Sequence, residues 1–213
     1  MFIKWFSASA LFLYVLYVIT LNFYIDPTAN SFLSEKVNLT RELDTGIWLV
    51  VLKVHVAAAC TALLAGGFAL SVAKASKLRP YHKIAGYLYV LCVLAVIVTS
   101  GYMAPFSTGG KINSIAFNLM NMLWFAFTLA AVIAILRKSV KKHRMWMIRS
   151  YVFCSTNLVI HLIAAALHRL AGVDYVTGYT FGVYGALIFN LALPVFIRLY
   201  SAGKVERLKG LGS

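Results

Sequence analysis

The sequence predicts an all-α fold: a polytopic bundle of six transmembrane helices with both termini in the cytoplasm. Three observations predict it. The chain of 213 residues is 62% hydrophobic and only 12% charged, where a soluble domain is roughly half apolar and a quarter charged. Six apolar runs, at about 2–24, 46–73, 83–102, 115–136, 145–168 and 180–200, are each close to the ~20 residues that carry a helix across the hydrocarbon core. The basic residues are also segregated between alternate loops. Together these make residues 1–213 a single integral membrane domain.

The segregation sets the orientation. Lys4, the basic turns (Lys74, Lys77, Arg79, Lys83; Arg137, Lys138, Lys141, Lys142, Arg144, Arg149) and the tail (Arg198, Lys204, Arg207, Lys209) hold 15 of the 20 basic residues, with Glu206 as their one acid. The opposite side has Lys36, Arg41, Lys53, Lys111 and Arg169 against Asp26, Glu35, Glu42, Asp44 and Asp174. The positive-inside rule makes the basic side cytoplasmic, in a multi-pass protein of the cell inner membrane. A net charge of +14 then reports topology and attraction to anionic lipid heads of the bilayer, not binding to nucleic acid.

Taken in order, the first run is read as an uncleaved helix, because its apolar stretch exceeds a signal-peptide core and no small-x-small site follows. Residues 25–45 are polar and read as a loop with a short interfacial helix. The second span carries Lys53 and His55, with Ala59, Ala62 and Gly66 following at helical spacing on the histidine's face. His82 opens the third span, with Gly86 one turn on. The stretch 104–114 reads as a Pro/Gly turn, and the fourth span holds Asn118 and Asn121. Cys60, Cys92 and Cys154 fall in apolar runs without a CxxC spacing, and are read as packing.

The fifth span organises the chain. His143 and His161 are 18 residues apart, five turns of an unbroken helix, so they share a face about 27 Å apart along the axis. Ser150, Cys154 and Asn157 continue that stripe towards the expected bundle interior. With the topology above, His55 and His161 (or His168) lie towards the outside, and His82 and His143 at the inner boundary. Two histidines from different helices can ligate a haem iron through its axial positions. Arg79, Lys83 and Arg149 would then meet inner propionates, and Lys53 outer ones. The alternative is a polar cluster in which His55 and His161 hydrogen-bond to Asn118, Asn121 or Asn157.

At His82-Lys-Ile-Ala-Gly-Tyr-Leu-Tyr and His143-Arg-Met-Trp-Met-Ile-Arg-Ser-Tyr the chain resembles the DUF2306 family of bacterial membrane proteins, from about His55 through the fifth span. That family is similar in outline to cytochrome b561-type and ferric-reductase-like bundles, which implies histidine-held haem on either side of the membrane. The resemblance implies His55, His82 and His143 as family positions, with Arg149 beside them. This sequence departs from the b561 pattern, in which four helices each give one ligand; here the fifth gives two and the fourth none.

The function expected is transmembrane electron transfer by two b haems, a haem-dependent oxidoreductase linked to a quinone or small reductant, with His55/His161 and His82/His143 as iron ligands. The alternative is a non-enzymatic membrane protein, an assembly factor for a respiratory complex or a small transporter. Neither GxSxG nor HExxH is present and the spans lack acids, which argues against a hydrolase or a dinuclear metal enzyme. No catalytic residue is assigned, and a homo-oligomer is compatible with the sequence.

Overall fold

The structure, a computed structural model, describes the backbone of residues 2–34, 36, 42–73 and 75–210, and side chains between 9 and 200 within those ranges. Of the charges counted above, Lys4, Glu35, Arg41, Lys74, Lys204, Glu206, Arg207 and Lys209 lie outside the described side chains. Eight α-helices run in chain order through the described residues. They are α1 (Phe2–Thr20, prolonged by a π-turn at Leu21–Ile25), α2 (Asn30–Leu33), α3 (Thr45–Val72), α4 (Arg79–Met103), α5 (Gly110–Leu136), α6 (Val140–Val152), α7 (Thr156–Ala171) and α8 (Tyr175–Gly210).

Five stretches are long and apolar enough to cross a membrane: Thr45–Val72, Ser76–Phe106, Gly110–Leu136, Val140–Ala171 and Tyr175–Tyr200. The shorter apolar helix Ser9–Ile25 precedes them. The polytopic all-α fold is as the sequence reads. The helices start earlier than the apolar runs, because hydropathy marks the hydrocarbon core whereas hydrogen bonding continues into the polar flanks. Residues Gly110 to Ser114, expected as turn, are the first turn of α5, and α8 begins at Tyr175.

By its contacts the chain divides into two compact units, Met1–Phe125 and Ala126–Ser213. In the first, α3 and α4 form an antiparallel pair and α1 packs on α3. Ala62, Ala69, Tyr89 and Val93 are buried, and the Trp124 indole N–H reaches the Tyr89 hydroxyl at 3.4 Å. In the second, α7 pairs with α8, and α6 also touches α8. Its buried residues include Ser150, Phe153, Ile160, Val183, Ala186 and Asn190.

The three aspartates accept backbone bonds at helix starts. Asp44 accepts from the Ile47 N–H (3.0 Å) at the head of α3, and Asp174 from the Thr177 N–H (2.9 Å) at the head of α8. Asp26 accepts from the Asn30 and Ser31 N–H groups at the head of α2. These backbone bonds hold the Asp26 and Asp174 carboxyls below their ordinary range, since each satisfies an orphan donor and favours the anion. At the other end of α5, Lys138 sits at φ 56°. Its N–H donates to Ile135 O, and the Ser139 N–H to Ala134 O, the two bonds of a Schellman stop.

Lys36 closes one end of the first unit. Its ammonium donates to Phe106 O and lies 4.5 Å from the Phe32 ring and 4.9 Å from that of Trp48, which stack at 5.8 Å. Burial lowers its pKa to about 8, because desolvation penalises the charged form. Below pH 8 the folded and unfolded states are both protonated and the penalty is complete. From about pH 8 to 10.5 only the unfolded state keeps the proton, so this group makes stability rise with pH. Thermal unfolding across that window should show the rise in the wild type relative to Lys36→Met. Parallel pH profiles would contradict the assignment.

Candidate functional site

His82 and His143 occupy equivalent places. Each is the fourth residue of a helix, α4 or α6, that follows a basic turn. Each turns its Nδ1 back to a carbonyl of the preceding helix: His82 to Ala69 O and His143 to Ala131 O, both at 2.9 Å. A carbonyl can only accept, so Nδ1 carries the proton, and in the neutral ring Nε2 keeps the lone pair. Ala69 is also among the last four residues of α3, whose carbonyls have no partner within their own helix. The bond therefore caps α3 while it sets the tautomer of His82.

His55 is half-buried in α3, with Ala62 and Gly66 buried further along its face. Its Nδ1 is 2.9 Å from the Thr99 hydroxyl. That hydroxyl is 2.7 Å from Ala95 O and 3.0 Å from Val96 O. Its single proton goes to one of these carbonyls, so the oxygen accepts from His55 and Nε2 is again the unprotonated nitrogen. The asparagines weighed as histidine partners are engaged elsewhere: Asn118 donates to Ser114 O and Asn121 to the Ser100 hydroxyl, both at 3.0 Å. Asn157 is exposed.

The fifth span is not one uninterrupted α-helix. Phe153–Ser155 form a 3-10 turn between α6 and α7. Three residues advancing about 120° each, in place of 100°, turn His161 about 60° away from the face of His143. The shared face expected from an unbroken helix is therefore corrected. The interior stripe is Ser150, Ile160 and Ala164, while His161 is exposed and meets the buried Tyr179 ring edge-on at 6.1 Å. His168 keeps the pattern of the other histidines, with Nδ1 2.9 Å from Val173 O.

Among the candidate cations, Arg79 and Lys83 are exposed beside His82, and Lys53 is half-buried two residues before His55. Arg149 is half-buried, its guanidinium 4.5 Å from the Trp146 ring centre. One turn beyond His82, a Cβ on Gly86 would meet nothing within 4 Å, so open space lies beside that histidine's helix. In the second unit Thr128 and Ser150 (2.7 Å between hydroxyl oxygens) tie α5 to α6, about two turns beyond His143.

The sequence reading passed over three features. Thr99 fixes His55, Asn190 donates to the Thr156 hydroxyl at 2.8 Å, and Gly178, Gly182 and Gly185 line α8 against α7. The glycines were findable, since Gly178 and Gly182 stand four apart as in close helix pairs. The family of predicted membrane proteins called DUF2306 matches residues 52–198. The chain belongs to the DUF2306 family. The match covers His55, His82, His143 and His161 and begins after α1. Neither the curated proteins nor the solved structures contain a match to this DUF2306 protein.

Proposed function

We propose that this DUF2306 protein is a b-type haem protein of the cell inner membrane that transfers electrons across the bilayer, with a quinone or small reductant as donor. The observation that carries the reading is the common state of the histidines. His55, His82 and His143 each have Nδ1 held by an oxygen, which leaves Nε2 as the basic nitrogen. Ligating histidines are oriented in this way by a bond from the other ring nitrogen. The donor set thus fits axial ligation of haem, and the space beside Gly86 fits the close approach of a flat ring.

His55 with His161 or His168 would hold the outer haem, and His82 with His143 the inner one. His168 meets the tautomer test by its bond to Val173 O. Arg79, Lys83 and Lys53 would hold propionates as charge-assisted donors, and Arg149, stacked on Trp146, would have to leave the ring to do the same. Bound haem supplies one-electron redox chemistry, tuned by its axial ligands and their surroundings. The chain's own part is to place the proton of the neutral ring on Nδ1, so that Nε2 faces outward as the donor, and to fix ring orientation.

Optical spectra of the purified protein from haem-replete cells, oxidised and dithionite-reduced, test the reading. A low-spin b-type spectrum is expected, and a colourless folded protein would refute it. The proposed orientation puts the termini and the basic turns in the cytoplasm. A reporter inserted at Lys141 should therefore be cytoplasmic and one at Ser34 external; the reverse pattern would overturn the assignment.

A further inference from the structure

We propose that a groove between α3 and α4 binds an anionic phospholipid, with an acyl chain in the groove and the phosphate on the basic turn. The open groove offers about 370 Å³. Leu64 and Phe68 of α3 and Ile84 and Leu88 of α4 form its walls, with Ala65 and Ala85 as its floor. On both helices the lining follows the i, i+3, i+4, i+7 spacing of one face, Thr61 to Phe68 and Tyr81 to Leu88. His82 and Gly86 lie on a different face of α4, so this inference does not rest on the haem reading.

The walls stay open. Ile84 is 65% exposed and Phe68 49%, whereas Ala65 and Ala85 are each 8%. The result is a trench with a closed floor, about 10 Å long over seven residues of helix. Continued one turn past Tyr81, the α4 face reaches the turn Ser76–Leu78 and its Lys77. Lys77 is exposed there and residues 73–83 contain no acid, whereas Arg79 and Lys83 fall roughly on the opposite side of α4 from the trench. Tyr81 stands at the rim, an apolar ring with a polar tip, as is common at the headgroup level.

Charge decides the occupant. A neutral isoprenoid tail would fill the trench but leave Lys77, a cation the haem reading does not use, without a counter-charge, and a free phosphate would leave the trench empty. A phospholipid with a net negative head uses both parts. Juxtamembrane cations attract anionic lipid with roughly five-fold affinity for each lysine or arginine near the surface.

The test reconstitutes the full chain in bilayers of equimolar phosphatidylglycerol and phosphatidylethanolamine, releases it gently, and weighs retained lipid by native mass spectrometry. We expect a retained phospholipid enriched roughly five-fold in phosphatidylglycerol over the bilayer ratio. Lys77→Gln should bring that enrichment near the bilayer ratio, whereas Arg79→Gln with Lys83→Gln, on the opposite side of α4, should leave it nearly unchanged. Ile84→Trp should fill the trench and remove the retained lipid altogether. Ile84 and Leu88 are both exposed, so Ile84→Trp should fold; Leu88→Trp is the second variant if it does not. Retention at the bilayer ratio in the wild type would overturn the proposal. So would enrichment that responds to the charges but not to either tryptophan, which would describe a loose lipid shell.

Discussion

Gly182→Val is expected to be the most destabilising single change in the second unit. A Cβ placed on Gly182 would stand 2.5 Å from Ile160 O, 3.2 Å from Ile160 C and 3.3 Å from Ile160 Cα. These are backbone atoms inside α7 and cannot rotate away, so α7 and α8 must separate. Overpacking of this kind costs about 1–3 kcal/mol for a methyl group, and valine should exceed the upper end. The neighbouring glycines provide the gradient. A Cβ on Gly185 would meet Ile163 Cδ1 at 2.6 Å, the movable end of a side chain. One on Gly178 would lie 3.4 Å from Ala164 O, in ordinary contact. Thermal unfolding in detergent should rank the alanine variants Gly182 worst, then Gly185, then Gly178. Gly101→Ala, with nothing within 4 Å, should be neutral or stabilised by up to about 1 kcal/mol, since alanine is the better helix former. A Gly182→Ala protein as stable as Gly178→Ala would show that the close helix approach does not exist.

The second large effect concerns colour. His82→Gln and His143→Gln should each abolish the six-coordinate signal of the inner haem while leaving the fold nearly unchanged. The reason is chemical. Glutamine can still donate to Ala69 O or Ala131 O, the bonds that His82 and His143 make at 2.9 Å, but it offers no imidazole nitrogen to iron. Alanine at either place removes both functions, and losing the hydrogen bond adds about 1 kcal/mol of destabilisation. Gly86→Leu is the complementary change. It should lower haem occupancy with little loss of stability, because the space it enters is open. Glutamine variants that kept the full b-type spectrum would mean these histidines only cap helices. Variants that lost stability without any change in spectrum would say the same.

The two sets of variants differ in how far the sequence foretold them. His82 and His143 stood out because each follows a run of lysine and arginine and precedes an apolar stretch. Their role in locking a tautomer was not legible, because the partner atoms are backbone carbonyls. Every residue carries one, so no side-chain pattern marks Ala69 or Ala131. Thr99 is similar: a threonine in an apolar helix ordinarily bonds its own backbone, as Thr99 also does, and only packing brings it to His55. Of the small residues that follow His55 on its face, Ala62 and Gly66 are buried and Ala59 is half-buried.

The sequence by itself determined the membrane class, the apolar spans and the places of the histidines along them. Each of these follows from composition and from a period fixed by the helix. Tertiary structure decided the rest. A 3-10 turn at Phe153–Ser155 rotated His161 off the face that an unbroken helix would have given it, a change of about 60° that three residues suffice to make. Contact between α7 and α8 chose Gly182 over the other glycines. The exposed stripe from Tyr81 to Leu88 became half of a trench only because Thr61 to Phe68 came alongside. Helical periodicity is a local property of hydrogen bonding and hydropathy, whereas distance between helices depends on where two surfaces meet, and that is written in no single segment.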